Sequence, residues 1–222
     1  MSEISQHKRV NDILLGPLER PALHWLAAHM PAWITPDICT LIGLGGAVIT
    51  LTGYGLSNVH PGFLWLASLG FFINWFGDSL DGTLARFRHI ERPRYGYFVD
   101  HTTDAVVQVM VFLGVGLSPY VTYNIACLAL VGYLVLSILV YLRTYIAGEF
   151  KISYAGLGPT ESRAVAVLLN IFMFFFGLQT IQLGQQVFSL YDIPVLVVAL
   201  VLFGFFTDTA IKETRRLAAL GE

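Results

Sequence analysis

The stretch GFLWLASLGFFINWFGDSLDGTLAR, residues 62–86, begins with sixteen uncharged residues and then places two aspartates, Asp78 and Asp81, in the chain. Uncharged apolar runs of this length are typical of helices that cross the hydrocarbon core of a bilayer, which is about 30 Å thick. A carboxylate at the centre of that core costs about 2.5–3.5 kcal/mol on insertion scales. The stretch therefore predicts a transmembrane helix that carries acidic groups near one end.

The composition extends this interpretation to the whole chain of 222 residues, which is 55% hydrophobic and only 13% charged. Such a composition excludes an ordinary soluble domain and favours an integral membrane protein. Six apolar stretches are long enough to span a bilayer as helices, and they lack the alternation typical of barrel strands. They are residues 38–57, 62–86, 96–117, 120–147, 164–185 and 193–209. The predicted fold class is an all-α integral membrane protein with six transmembrane helices.

The basic residues predict the orientation of these helices. All thirteen fall on one side of the predicted membrane, before the first span, around alternate connections and after the last span. Cytoplasmic loops of membrane proteins carry such an excess of Lys and Arg, so both termini are predicted to be cytoplasmic. The residues are Lys8, Arg9, Arg20, Arg86, Arg88, Arg92, Arg94, Arg143, Lys151, Arg163, Lys212, Arg215 and Arg216.

A cytoplasmic segment, residues 1–37, is predicted to precede the six-helix transmembrane domain at residues 38–222. It contains an apolar stripe at helical spacing, formed by Leu23, Leu26, Ala27 and Met30. The stripe predicts an amphipathic helix that lies on the cytoplasmic surface of the bilayer. A connector packed against the rest of the protein explains the same stripe equally well.

Helix geometry predicts that four aspartates converge. At 1.5 Å per residue, Asp78 and Asp100 both lie about 6 Å inside the cytoplasmic edge of the hydrocarbon core. Asp81 shares the helix face of Asp78, and Asp104 shares that of Asp100. If the two helices are antiparallel neighbours, the carboxylates form one cage for hard divalent cations, Mg²⁺ or Mn²⁺. Two such ions would balance the four negative charges.

Two functions are compatible with such a cage. Metal ions beside Arg86 and small residues suit phosphoryl transfer, because they bridge phosphate oxygens and activate a hydroxyl group. The same acids would also suit the pathway of a cation or proton carrier. A carrier is expected to show inverted repeats or broken helices, and the sequence shows no convincing inverted repeat.

The pattern D-x-x-D-G-x-x-A-R, nine residues, then G-x-x-x-D-x-x-x-D resembles the signature of the CDP-alcohol phosphotransferases, membrane enzymes of phospholipid synthesis. The resemblance implies transfer of a substituted phosphate from a CDP-linked donor to an alcohol, with release of CMP. It also implies a homodimer that works with membrane lipids, and we expect no nucleic-acid partner. We expect a bacterial inner membrane protein whose active site faces the cytoplasm.

The resemblance also implies roles for the motif residues. Asp104 would act as the base toward the acceptor hydroxyl, with Asp100 as a second catalytic residue. The metal ligands would be Asp78, Asp81, Asp100 and Asp104. The nucleotide-binding residues would be Asn74, Asp81, Gly82, Ala85, Arg86 and Gly96. For Asn74, a hydrogen bond to a neighbouring helix is an equally good interpretation.

The identity of the alcohol stays open at this point. Residues 100–104, DHTTD, and 158–163, GPTESR, resemble segments of choline and ethanolamine phosphotransferases. Glu161 would then pair with an ammonium head group, and His101 is a further acceptor-binding candidate. Arg143, Lys151 and Arg163 would instead suit a phosphorylated acceptor through charge-assisted bonds. The donor is accordingly CDP-diacylglycerol or a CDP-amino-alcohol, and the acceptor is a small alcohol or diacylglycerol.

Overall fold

The computed structural model describes residues 15–147, 158–184 and 186–220. Within these ranges the chain forms seven helices and one two-stranded hairpin. The helices are α1 (Gly16–His29), α2 (Pro36–Leu56), α3 (Phe63–Phe87), α4 (Pro93–Leu117), α5 (Tyr123–Ala147), α6 (Pro159–Phe176) and α7 (Asp192–Leu220). Strands β1 (Thr180–Leu183) and β2 (Gln186–Ser189) lie between α6 and α7. Five of the helices, α2, α4, α5, α6 and α7, are long and apolar enough to cross a membrane.

Helix α3 covers the predicted second span but is not among those five. It is 25 residues long, and Asn74, Asp78 and Asp81 lower its mean hydropathy. Helix α3 packs against α1, α2 and α6, whereas α4 packs against α2 and α5, and α5 packs against α7. The observed architecture is therefore helical with five candidate spans, and a sixth span in α3 stays a prediction.

Helices α2 and α3 pack with their backbones in close contact. A methyl group placed on Gly46 would lie 2.7 Å from the carbonyl oxygen of Gly70 and would also meet the backbone nitrogen of Asn74. Further along the interface, Gly77 faces the backbone of Gly43 in the same way. Only residues without a β-carbon permit this approach, which small residues provide in membrane helices. The acidic end of α3 is thereby held against α2.

The apolar stripe of α1 packs against the protein. It shares one buried cluster with residues of the neighbouring helices, namely Leu23, Leu26, Ala27, Met30, Ile34, Cys39, Leu80 and Leu84. On other parts of α1, Leu18 and Trp25 are exposed. The stripe therefore faces protein, as expected for a packed connector, and the position of α1 at the bilayer surface stays a prediction.

A guanidinium group fixes the turn between α1 and α2. Arg88, which follows α3, donates hydrogen bonds to the carbonyl oxygens of Met30 at 2.9 Å, Pro31 at 2.9 Å and Ile34 at 2.6 Å. Five donors in a fixed fork let one arginine satisfy several carbonyl groups of a tight turn. The end of α3 is thus tied to the start of α2.

The chain between α6 and α7 differs from the prediction of a helix over residues 164–185. Helix α6 ends at Phe176, and Gly177 then adopts a left-handed backbone with φ of +65°. Strands β1 and β2 pair antiparallel with Thr180 opposite Ser189, and Gly184 at φ +64° suits their tight turn. The glycine terminates the helix where the chain becomes rich in glutamine, so the hydrophobic stretch overestimates the helix by several residues.

Helix α7 makes carboxylate contacts at its start and in its second half. At its start, Asp192 accepts hydrogen bonds from the backbone nitrogens of Thr122 at 2.6 Å and Ser189 at 2.9 Å, which joins α7 to the α4–α5 connection and the hairpin. The helix continues to Leu220, beyond the predicted end at residue 209. In the second half of α7, Lys212 pairs with Asp208 one turn earlier at 2.7 Å, a pair that supports helical structure outside the apolar part.

Candidate active site

Three of the predicted carboxylates meet between α3 and α4. Asp78 of α3 and Asp100 and Asp104 of α4 place carboxylate oxygens within 4.8 Å of one another. The two helices reach this arrangement through α2, which packs against both of them. All three aspartates are half-buried, so their charges repel each other in partly water-excluded surroundings.

Asp81, the fourth predicted ligand, lies outside this group of three and has partners of its own. Its Oδ2 accepts a hydrogen bond from Thr40 Oγ1 at 2.7 Å, and its Oδ1 accepts one from the backbone nitrogen of Gly82 at 2.5 Å. Thr40 belongs to α2 and follows Pro36 by one helical turn. Asp81 is therefore oriented by α2, at the margin of the other three carboxylates.

Arg163 is a cation that pairs with one of the three carboxylates. Its Nη2 donates to Asp78 Oδ2 at 2.6 Å, across 85 residues of sequence. The side chain of Arg163 is only 12% exposed, and Asp78 is 25% exposed. A charge-assisted hydrogen bond of this length is strong, yet it supplies one positive charge to a group of three negative ones.

The donor set fits a divalent cation. Carboxylate oxygens are the ligands that Mg²⁺ and Mn²⁺ prefer, and three of them from two helices lie close enough to share one ion. Converging carboxylates without a cation would repel one another, which is costly where water is partly excluded. Asp78, Asp100 and Asp104 would hold the ion.

The predicted nucleotide-binding residues surround the acidic group unevenly. Asn74 is buried, and its Nδ2 donates to the carbonyl oxygen of Gly43 at 2.9 Å, so it also holds α2. Arg86 Nη2 donates to Thr83 Oγ1 at 3.3 Å, while Arg86 Nη1 lies beside Gly82. Around Gly96, a β-carbon would meet no atom within 4 Å, so the backbone there is open to a ligand.

The predicted acceptor-binding residues fall into different surroundings. Glu161 is buried and accepts hydrogen bonds from the backbone nitrogens of Gly158 and Leu15, each at 2.9 Å. Arg143 Nε lies 3.3 Å from Oε2 of Glu213, which belongs to α7. His101 stacks on Tyr97, and its Nδ1 lies 2.7 Å from the carbonyl oxygen of Tyr97.

Within the described ranges, two of the basic candidates for acceptor binding lie against the three carboxylates. Arg163 pairs with Asp78, and His101 Nδ1 lies 3.8 Å from Asp100 Oδ2. Lys151 lies outside the described residues.

A glutamate that the sequence analysis did not single out connects three helices beside the site. Glu19 of α1 accepts hydrogen bonds from Trp75 Nε1 at 2.8 Å and Ser79 Oγ at 2.9 Å, both on α3. It also accepts one from Thr160 Oγ1 of α6 at 3.1 Å. Its place in an amphipathic segment gives no signal for these contacts, because they join distant parts of the chain.

The helices with their five candidate spans define an integral membrane protein that carries a half-buried acidic group. Residues 33–206 match the CDP-alcohol phosphatidyltransferase family. Because this match covers most of the chain, the protein belongs to that family. The resemblance seen in the motif is thereby confirmed, and a carrier is not favoured.

Individual similar proteins carry two different names. The chain is 29% identical over 164 residues to cholinephosphotransferase 1 of Danio rerio, covering 69% of this chain and 42% of the relative. It is 37% identical over 92 residues to phosphatidylinositol phosphate synthase of Cutibacterium acnes, covering 40% of this chain and 41% of the relative. Cholinephosphotransferase 1 of Homo sapiens is 27% identical over 163 residues, with 69% and 39% covered. The chain thus spans about two fifths of the length of these relatives.

Proposed function

We propose that this protein is a divalent-metal-dependent transferase of phospholipid biosynthesis that moves a substituted phosphate from a CDP-linked donor to an alcohol. The observation that carries the proposal is the meeting of Asp78, Asp100 and Asp104 within 4.8 Å in a chain of this family. Mg²⁺ or Mn²⁺ at this position, two ions per site in the full cage, would neutralise phosphate oxygens of the donor.

The chemistry of the transfer assigns a task to each side of the site. The acceptor oxygen forms a bond to the phosphorus that carries the donor's alcohol group, and the bond from that phosphorus to the oxygen of CMP breaks. Asp104 is the base that takes the proton of the acceptor hydroxyl, since it lies one helical turn from Asp100 inside the acidic group. The products are a phosphodiester lipid and CMP.

The nucleotide would lie along the glycine-containing face of α3 and the start of α4. The open backbone around Gly96 and the small residues Gly82 and Ala85 permit close approach of a flat base or a phosphate. Arg86, on the edge of this face, would contribute positive charge. Asp81, Thr40 and Asn74 would keep α3 in register with α2 beneath the nucleotide.

The placement in the membrane follows from the distribution of charge. We propose six spans, namely the five candidate helices and α3, in a bacterial inner membrane. Both termini and the active site would face the cytoplasm. The basic residues on one side of the predicted membrane support this orientation. A homodimer, α1 at the bilayer surface, and a catalytic domain over residues 38–222 complete the proposed organisation.

The acceptor class is proposed from the names of similar proteins and from the side chains near the acidic group. Relatives named as cholinephosphotransferases and as a phosphatidylinositol phosphate synthase support either an amino-alcohol or a phosphorylated acceptor. Arg163 contacts Asp78, which places positive charge beside the acidic group. Arg143, Lys151, Glu161 and His101 stay candidates for acceptor contacts.

Mass spectrometry of lipid products tests the proposed reaction. Purified protein receives either CDP-diacylglycerol with a panel of alcohols or CDP-amino-alcohols with diacylglycerol, each with Mg²⁺ or with EDTA. We expect one pairing to yield a phosphodiester lipid and CMP in the presence of Mg²⁺ only. Asp100→Asn is expected to remove turnover and to leave the protein folded, because it takes a charge out of a repelling group. Full turnover of this variant would contradict the proposal.

A further inference from the structure

Arg163 is a buried cation in a position that does not favour cations. It is the fifth residue of α6, close to the helix N-terminus, where the backbone dipole is positive. Its side chain is 12% exposed, so most of the guanidinium has lost its contact with water. A buried charge without a partner is strongly unfavourable, and the contacts of Arg163 therefore decide its role.

Those contacts satisfy only part of the guanidinium group. Nη2 donates to Asp78 Oδ2 at 2.6 Å, whereas Nη1 is buried and has no hydrogen-bond partner within the described part of the chain. A buried donor without an acceptor raises the free energy of the folded state. The attraction that keeps Arg163 in place is thus directed at the acidic group, and specifically at the carboxylate of Asp78.

The start of α6 is held by bonds that do not involve the acidic group. Glu161 accepts from the backbone nitrogens of Gly158 and Leu15, and Thr160 donates to Glu19 of α1. These bonds attach the first turn of α6 to α1. Arg163, which follows within one turn, is therefore presented to Asp78 from a fixed support.

A cation in the acidic group would compete with Arg163 for the carboxylate of Asp78. Asp78 Oδ2 accepts from Nη2 at 2.6 Å, and Asp78 is one of the three residues whose oxygens lie within 4.8 Å of one another. We propose that Arg163 is an intramolecular stand-in for the cation, which pairs with Asp78 while the acidic group is empty and leaves this carboxylate when an ion binds. This inference rests on the proposed function, because it requires that Asp78, Asp100 and Asp104 bind a divalent cation.

The exchange has two measurable consequences. Arg163 stabilises the ion-free protein, since it offsets part of the repulsion among the carboxylates. It also weakens the apparent affinity for the cation, because an ion binds only when the guanidinium has moved away. Loss of the guanidinium should therefore change thermal stability and cation affinity in opposite directions, a result that a merely structural arginine would not give.

A Mn²⁺ titration followed by electron paramagnetic resonance tests the exchange on the full chain in lipid nanodiscs. Arg163→Gln should bind Mn²⁺ about three- to tenfold more tightly than the wild type. Without ions, its melting temperature should be lower by about 2–4 °C. Arg163→Lys keeps the positive charge on a flexible stem, so its Mn²⁺ affinity should lie between those of the other two proteins.

The control is Arg216→Gln, which removes the same charge from a more exposed arginine of α7 that pairs with Glu213. Its Mn²⁺ affinity should equal that of the wild type. The inference is overturned if Arg163→Gln and Arg163→Lys bind Mn²⁺ no more tightly than the wild type while Asp100→Asn loses binding. If the folded wild type binds no Mn²⁺ at all, the proposed metal dependence fails and the inference fails with it.

Discussion

At the residue scale, Asp81 differs from the other three motif aspartates in its hydrogen bonds. Its two oxygens accept from Thr40 Oγ1 and from the backbone nitrogen of Gly82, and both donors lie within 2.7 Å. These donors hold the carboxylate at the α2 side of the site. Thr40 therefore sets the orientation of one proposed ligand without belonging to the motif.

Replacement of Thr40 with Val tests this assignment. The substitution removes the hydroxyl at nearly constant volume and leaves Asp81 without its side-chain donor. We expect CMP release to fall about 10- to 100-fold, as for other groups that orient metal ligands. Stability should fall by about 1–3 kcal/mol. Thr40→Ser keeps the donor and should retain most activity, and equal turnover in Thr40→Val and the wild type would show that Asp81 needs no such support.

Motif spacing predicted that four aspartates converge, because three- and four-residue intervals place side chains on one helix face. Three of them meet, whereas Asp81 lies outside this group. Motif spacing could not predict the partner of Asp78, since Arg163 lies 85 residues away on another helix. Nor could motif spacing predict that Glu161, a candidate for acceptor binding, accepts hydrogen bonds from the backbone nitrogens of Leu15 and Gly158. Contacts between distant segments depend on packing, which periodicity does not describe.

At the element scale, the α2–α3 interface fixes the position of the proposed metal ligands on α3. One of its close approaches is at Gly46, where an added methyl group would overlap the backbone of Asn74 and Gly70. The neighbouring Gly45 faces away, and a β-carbon there would meet no atom within 4 Å. Two adjacent glycines of one helix therefore have opposite tolerance for a side chain.

The matched variants Gly46→Ala and Gly45→Ala test the interface in thermal unfolding. Gly46→Ala should destabilise the protein by about 1–3 kcal/mol, because the added methyl separates two packed backbones. Gly45→Ala should be neutral or stabilising by up to about 1 kcal/mol, since alanine favours the helix. CMP release should fall in Gly46→Ala alone. Similar melting temperatures for the two variants would contradict the observed packing.

The helices themselves were largely predictable, and their ends were not. Apolar length indicated α2, α4 and α5 within a few residues, because membrane spans are defined by hydrophobicity. The hairpin over residues 180–189 was missed, since the apolar stretch before it was extended past the helix-terminating Gly177. Helix α7 was predicted too short, because its last turns are polar and are supported by pairs such as Asp208 with Lys212.

At the scale of the whole molecule, the acidic group and the hairpin lie toward opposite ends of the helices. The hairpin end is held by Asp192, which accepts hydrogen bonds from the backbone nitrogens of Thr122 and Ser189. A buried chain of hydrogen bonds, from Tyr54 to Asn170 at 2.9 Å and from Asn170 to Ser68 at 3.1 Å, joins α2, α6 and α3. The proposed substrate site lies at the opposite, acidic end.

The proposed orientation is testable with single cysteines in intact cells. Val59, between α2 and α3, is exposed and lies on the predicted outer side, whereas Tyr95 lies near the acidic group on the predicted inner side. In a Cys127→Ala background, a membrane-impermeant maleimide should label Val59→Cys in intact cells. It should label Tyr95→Cys only after the cells are opened. The reverse pattern would contradict cytoplasmic termini.

The central claim is that Asp78, Asp100 and Asp104 hold a divalent cation beside a cytidine nucleotide. The most direct measurement is the melting temperature of the purified protein with CDP, in Mg²⁺ and in EDTA, for the wild type and Asp100→Asn. We expect CDP to raise the melting temperature of the wild type in Mg²⁺, and we expect EDTA or the substitution to remove this increase. No increase in Mg²⁺, or an equal increase in EDTA or in Asp100→Asn, would contradict the claim.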